Sequence, residues 1–190
     1  MLDALSHLDR EMFLALNGGG FPWLDPVMRA TSNMLLWFPL YAFFLFILQR
    51  RWGWTGLGLS VLCIGLMILV SDSGSVVLFK NTVQRLRPCH AADLSGLVHM
   101  AGVECGGRFG FVSSHATNHF AIAVFMSGIL QRVPRWGTPL LLLWAAIVSY
   151  SRIYLGVHYP GDVLVGALYG AATGFIFFRI FRWAHGRFAE

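Results

Sequence analysis

Three groups of residues in this 190-residue chain carry side chains able to do chemistry, and each lies at the end of an apolar run. Lys80, Arg87 and Pro88 close one run, Ser113, Ser114 and His115 open the next, and Ser151, Arg152, His158 and Asp162 lie between the last two. A cation beside a bilayer is costly without a partner, so Lys, Arg, His and Asp recurring at one membrane depth mark a functional site. The partner they imply is an anion. Arg offers a planar fork matched to phosphate oxygens and Lys a mobile point charge, so a phosphoryl group suits the set better than a carboxylate.

Each group contributes a different part. Lys80 and Arg87 stand seven apart, which on a continuing helix is two turns, about 10 Å of rise and nearly one face. Pro88 reads as the end of that helix, and Arg85 as a side chain snorkelling to headgroups. The stretch Gly110-Phe111-Val112-Ser113-Ser114-His115 runs straight into an apolar segment. A Ser pair there supplies an N-cap, and the free N–H groups of the first turn, with the helix dipole, face an anion. In the third group Pro160 suits a first helical position, which lets Asp162 reach back toward His158. A carboxylate on one imidazole nitrogen sets the tautomer and leaves the other nitrogen free as base or nucleophile. Cations for a dianion, backbone donors for its oxygens, an oriented histidine and a second histidine are the inventory of phosphoryl transfer. That inventory requires no divalent metal, and no carboxylate cluster in the sequence offers a metal cage, so no metal or other cofactor is expected.

The elements that position these residues are hydrophobic. The chain is 56% hydrophobic and 12% charged, against roughly 25% charged in a typical soluble domain. Apolar runs lie near residues 34–49, 54–79, 116–131, 139–150 and 163–181, and a span takes about 17–25 residues, so the shorter ones borrow flanking polar positions. Ahead of them Leu2, Leu5, Leu8, Met12, Phe13 and Leu16 repeat at helical spacing among Asp3, Asp9, Arg10 and Glu11, the pattern of an interfacial helix. Gly18, Gly19 and Gly20 end it, and residues 22–31 lead into the first span. The expected fold is all-α: a polytopic helical membrane bundle of about five transmembrane helices plus an N-terminal interfacial helix. It forms a single domain over residues 1–190, with 1–32 as the interfacial segment and 33–190 as the helical core.

Smaller features fill in this bundle. Trp37, Trp52, Trp54, Trp136, Trp144 and Trp183 fall mostly near span ends and read as an aromatic belt. Gly166, Gly170 and Gly174, spaced by four, read as a helix-packing stripe within the bundle in preference to a dimer contact, and Ser71, Gly74 and Ser75 likewise. Asp72 inside a span either ties helices together or orients a cation of the site.

Five spans put the N-terminus and the loops 81–112 and 151–161 on one side. The other side holds Arg50, Arg51, Arg132, Arg135, Arg179, Arg182 and Arg187, with Glu190 as its acid. Short basic loops belong in the cytoplasm, which places the three motifs extracytoplasmically. The net charge of +5 is thus divided between cytoplasmic anchors and the outer cluster and forms no soluble basic face, so nucleic acid is not an expected partner. Cys63 lies mid-span as a small core residue. Cys89 and Cys105 share the outer loop, where an oxidising compartment permits a disulfide, and sequence leaves their pairing open.

These three motifs resemble the three-part signature of the type 2 phosphatidic acid phosphatases, the membrane branch of a superfamily that includes vanadium haloperoxidases. The resemblance implies that His158 attacks phosphorus to form a phosphohistidine, that Asp162 orients it, and that His115 protonates the leaving group. It further implies that Lys80, Arg87, Ser113 and Arg152 hold the phosphate. One departure is visible: the family's middle motif usually reads Pro-Ser-Gly-His, and here it reads Val112-Ser113-Ser114-His115. Ser114 in place of Gly either narrows the phosphate pocket or adds a hydroxyl donor. The expectation is a metal-independent lipid phosphate or pyrophosphate phosphatase acting at the outer face of a bacterial cytoplasmic membrane. Candidate substrates are undecaprenyl pyrophosphate, phosphatidic acid, phosphatidylglycerol phosphate and lipid A phosphates. A lipid-to-lipid phosphotransferase would use the same site. An anion transporter or channel, the alternative of another class, expects inverted repeats, and the sequence carries no such internal symmetry.

Overall fold

The computed structural model describes residues 2–130 and 137–188, without the side chains of Leu2, Asp3 and Phe188. Arg132, Arg135, Trp136 and Glu190 lie outside the described residues. The described chain is helical: α1 (Leu2–Asn17), α2 (Asp25–Ser32), α3 (Phe38–Gly74), α4 (Ser114–Ile129), α5 (Gly137–Tyr154) and α6 (Pro160–Phe188). A single 3₁₀ turn, Met34–Trp37, leads into α3, which continues through a π-helical turn, Ser75–Lys80, and a last turn, Asn81–Val83.

Helix α3 is a hairpin, not a rod. Gly53 takes φ 68° and ψ −171° inside it, a conformation open to glycine and strained for other residues. The chain enters and leaves at one end of the bundle, where Ser32 meets Arg152 and Lys80 meets Ser114. Between these, Trp52 reaches the other end, packing edge-on against Phe181 at 5.4 Å and His185 at 4.7 Å. The two arms enclose a core with α4 and α6 in which Leu48, Met67, Phe125, Met126, Ile129 and Phe181 are fully buried. Large apolar side chains such as Leu62, Leu69, Leu168 and Ile176 point outward and are exposed. A bundle apolar inside and out has lipid as its natural solvent. Two helical stretches, residues 34–83 and 160–187, are long and apolar enough to cross a membrane, which fits a membrane protein.

The glycine stripe lies inside the bundle. A Cβ on Gly170 or Gly174 would run into the carbonyl oxygens of Thr117 and Ala121, so these glycines let α6 lie directly on the backbone of α4. Gly74 performs the same service for Tyr169 of α6. Cys63 is buried in the core as a free thiol.

Asp72 is exposed at its side chain, and its carbonyl accepts a hydrogen bond from Ser75 Oγ at 2.8 Å. Its carboxylate lies within electrostatic reach of Lys80.

Two expectations need correction. Trp144 is not a belt residue: it is 8% exposed and sits in the core, edge-on to Trp37, Tyr41 and Phe44. Trp54 and Trp183 do stand exposed. Phe13 does not belong with the outward row of α1, because it is fully buried against Tyr159, 5.4 Å between ring centres. Asp9, Phe13 and Asn17, four apart and hence on one face, dock α1 onto the bundle, while Leu5, Leu8, Met12 and Leu16 remain exposed. Asn17 secures that docking: its Nδ2 reaches the carbonyls of His99 (2.8 Å), Ile153 (3.1 Å) and Tyr154 (2.8 Å), and its Oδ1 accepts from His99 N.

Candidate active site

Local helix chemistry brings the third motif together. Helix α5 ends in a Schellman cap: Gly156, at φ 73°, donates to Ile153 O at 3.0 Å, and Val157 donates to Arg152 O at 3.1 Å. The next amide, His158 N, also bonds Arg152 O, at 3.3 Å, so the cap itself sets His158 beside Arg152. Helix α6 then starts at Pro160, and Asp162 reaches back to accept from Tyr159 N at 3.0 Å, one half of a capping box. The same carboxylate oxygen lies 3.4 Å from His158 Nδ1, longer than an ordinary hydrogen bond. His158 is 2% exposed and Asp162 is fully buried. Burial holds the His158 imidazole at a pKa of about 4; the nearby Asp162 works against that push, and Arg87 and Arg152 reinforce it. At neutral pH the ring is uncharged, as a nucleophile requires.

The second motif lies against this pair. Ser113 caps α4 with non-helical angles, its Oγ 3.5 Å from Ala116 N, and its own amide donates to Asp162 O at 3.0 Å. His115, in the first turn, is partly buried and within electrostatic reach of Arg152 and His158. Behind it His119 is nearly parallel at 6.1 Å and bonds His115 O through Nδ1 at 2.8 Å.

Ser114 adds a hydroxyl where the family's motif usually has Gly, and that hydroxyl is hydrogen-bonded to two residues of the protein. Its Oγ accepts from Lys80 Nζ at 2.7 Å and lies 2.8 Å from Ser75 Oγ, whose own proton goes to Asp72 O. The Ser114 proton therefore points to Ser75. The added hydroxyl is occupied in holding the lysine.

The first motif departs from the helical reading. Gln84 adopts a left-handed conformation, φ 50°, so the helix stops at Val83 and Lys80 and Arg87 are not two turns apart on one face. Residues 85–87 instead pair with the segment before Ser113: Leu86 bridges Phe109, Arg87 N bonds Arg108 O, and Gly110 N bonds Arg85 O at 2.9 Å. The two cations still come within electrostatic reach of each other. Arg87 NH1 donates to Cys105 O at 3.1 Å, and Cys105 is disulfide-bonded to Cys89, with 5.9 Å between their Cα atoms. Gly110 sits over the His–Asp pair: a methyl there would come 3.2 Å from Asp162 Oδ2 and 3.5 Å from His158 Nδ1.

Lys80, Arg87, Ser113, Ser114, His115, Arg152, His158 and Asp162 thus gather at one end of the bundle. Arg152 donates to Ser32 Oγ through NH1, while its Nε is buried without a partner, a donor available to an anion's oxygen. Among the described residues no three His, Cys, Asp or Glu side chains are grouped to hold a metal ion.

Sequence reasoning missed Arg85 and Asp9. Arg85 does not snorkel outward but turns in, its NH1 2.7 Å from Asp9 Oδ2 and 3.0 Å from Asp162 Oδ1. The excess of carboxylates in the N-terminal segment was the one available signal, and it did not single out Asp9.

Known proteins resemble this chain in sequence and in fold. The PAP2 superfamily model matches residues 57–185. A lipid A 4'-phosphatase of Bacteroides thetaiotaomicron is 36% identical over 181 residues, covering 95% of this chain and 80% of that protein. A lipid A 4'-phosphatase of Porphyromonas gingivalis is 31% identical, covering 98% and 78%. The crystal structure of Aquifex aeolicus LpxE matches with a TM-score of 0.66 at 27% identity, over 90% of this chain and 95% of that one. On motif, fold and full-length similarity together, the chain belongs to the PAP2 superfamily, the type 2 phosphatidic acid phosphatases that its motifs resemble.

Proposed function

We propose that this lipid phosphatase removes a terminal phosphate from a membrane lipid through a phosphohistidine on His158, without a metal ion, and that a lipid A-type phosphate is its first candidate substrate. The observation that carries the reading is the buried, uncharged His158 against Asp162, with the unpartnered Nε of Arg152 beside it. Asp162 faces Nδ1, so Nε2 attacks phosphorus in line, forming the P–N bond as the P–O bond to the lipid breaks. His115, which takes up a proton once the phosphate dianion lies against it, gives that proton to the leaving oxygen. It then takes one from water, whose oxygen bonds phosphorus as the P–N bond breaks, returning Nε2 of His158 and releasing inorganic phosphate. Lys80, Arg87 and Arg152, with the first-turn amides of α4, offset the charge on the phosphoryl oxygens. The lipid A 4'-phosphatase relatives support the choice of substrate. Membership of this family leaves the anion-path alternative without support.

Five passes, two from the α3 hairpin and one each from α4, α5 and α6, are the membrane arrangement that best suits the bundle. Arg50, Arg51, Arg182 and Arg187 belong to the end opposite the site, which supports an extracytoplasmic site under the positive-inside rule. An impermeant thiol reagent applied to reduced, intact spheroplasts should label Cys89 and Cys105. Labelling only after lysis would put the site in the cytoplasm.

Purified protein offered a panel of lipid phosphates should release inorganic phosphate, fastest from a lipid A phosphate. Transfer of the group to a second lipid in place of water would assign a phosphotransferase. No turnover of any lipid phosphate would overturn the reading.

A further inference from the structure

Resting on the assignment of His158 as nucleophile and Asp162 as its orienting carboxylate, we propose that Asp9 and Arg85 are positioning residues that set Asp162. The N-terminal helix then takes part in catalysis and does more than sit on the membrane surface.

Asp162 has two oxygens to place. Oδ2 accepts from Tyr159 N at 3.0 Å and faces His158 Nδ1 at 3.4 Å, while Oδ1 receives NH1 of Arg85 at 3.0 Å. That same nitrogen lies 2.7 Å from Asp9 Oδ2, and Asp9 Oδ1 accepts Gly161 N at 2.7 Å. Gly161 is the second residue of α6, so its amide has no partner within the helix, and a carboxylate there also meets the positive end of the dipole. Asp9 therefore grips the turn that carries Asp162 by its backbone and by its counter-ion together.

The surroundings hold Arg85 in place. Its guanidinium lies 3.9 Å over the ring of Tyr159, and Phe13 of α1 stands edge-on to the same ring. Its carbonyl fixes Gly110, the residue over the His–Asp pair. Exposure falls inward along the series, 23% for the side chain of Arg85, 11% for Asp9 and 0% for Asp162.

The chemical need is specific. Asp162 lies within electrostatic reach of Arg87, a cation assigned to the phosphate. A buried carboxylate without its own counter-charge would draw that arginine away from substrate. Arg85 supplies the counter-charge, and Asp9 holds Arg85 in line, leaving Arg87 and Arg152 for the phosphoryl group.

Asp9→Asn keeps the shape and an acceptor for Gly161 but removes the charge facing Arg85. Because misplacing reacting groups by about an ångström costs roughly a hundredfold, we expect kcat to fall about tenfold in Asp9→Asn and about a hundredfold in Arg85→Gln, with KM within about twofold. Arg85→Lys should recover part of the loss seen in Arg85→Gln. In the Arg85→Gln background, Asp9→Asn should cost nothing further, because the charge it removes acts on Asp162 through Arg85 and the acceptor for Gly161 is kept. A wild-type kcat in Asp9→Asn, a change confined to KM, or strictly additive losses would overturn the proposal. If Asp9→Asn fails to fold, the Arg85 pair decides alone: equal kcat in Arg85→Gln and Arg85→Lys would overturn it. His158→Ala, run alongside, separates the layers. Turnover surviving in His158→Ala overthrows the nucleophile assignment, whereas its loss there with a wild-type rate in Asp9→Asn overturns only the role of α1.

Discussion

Nδ1 of His158 lies 3.4 Å from Oδ2 of Asp162, one helical turn on, and neither side chain is open to solvent. The pair is set by the cap at the start of α6, whose first backbone donor bonds the same oxygen. An imidazole oriented in this way and uncharged at neutral pH is suited to attack.

His158→Ala should abolish turnover while leaving the protein folded, and Asp162→Asn should lower kcat on the order of a thousandfold or more by releasing the ring from its tautomer. His115→Ala should hurt a lipid monoester more than an aryl phosphate, whose leaving group needs no proton. Steady-state kinetics on both substrates check this; equal losses would remove His115 as the acid.

The pH response follows from the burial of His158. Its pKa is about 4 in the folded protein, against roughly 6.5 unfolded. Between these values the unfolded chain binds the proton and the folded one does not. Stability is thus fully present above about pH 6.5 and declines as pH falls toward 4. Thermal melts of wild type should show this decline, and His158→Gln, which cannot titrate, should flatten it.

In the proposed mechanism the cations of Lys80, Arg87 and Arg152 take the place a divalent ion would fill, so activity should survive EDTA. Orthovanadate should inhibit by adopting the five-coordinate geometry of in-line transfer with His158 as an apical ligand. Loss of activity on chelation, restored by a divalent ion, would contradict the mechanism.

Ser114 holds Lys80 at 2.7 Å and passes its proton to Ser75. Hydrogen bonds to charged groups contribute about 1.5–3 kcal/mol, so Ser114→Gly should loosen the lysine and raise KM roughly tenfold with a smaller change in kcat. An unchanged KM would show that Lys80 keeps its place without the hydroxyl.

The Cys89–Cys105 bridge closes the loop whose carbonyl at Cys105 holds Arg87. The two cysteines are 16 positions apart, and a loop of that size contributes about 3 kcal/mol through the unfolded state. Cys89→Ser, Cys105→Ser and the double variant should lose melting temperature and activity to similar degrees, as partners in one bond do. Free thiols found by mass spectrometry of the non-reduced protein would refute the bridge.

What the sequence by itself determined is the chemistry that lies within a turn or two of helix. The Ser113 cap, the reach of Asp162 back to His158, the glycine stripe and the apolar runs all follow from 3.6-residue periodicity and from unpartnered backbone groups at helix ends, which act over a few positions of chain. Tertiary structure alone decided the contacts made across the fold. Arg85 and Asp162 are 77 positions apart, and Asp9 and Gly161 are 152 apart. A surface arginine near the bilayer and an arginine turned in between two carboxylates have the same local sequence. The left-handed Gln84 that stops α3, the burial of Trp144 and the partner of Ser114 have the same origin. Each depends on which distant backbone or side chain the packed helices bring alongside, and on the cost of leaving a polar group unpaired there.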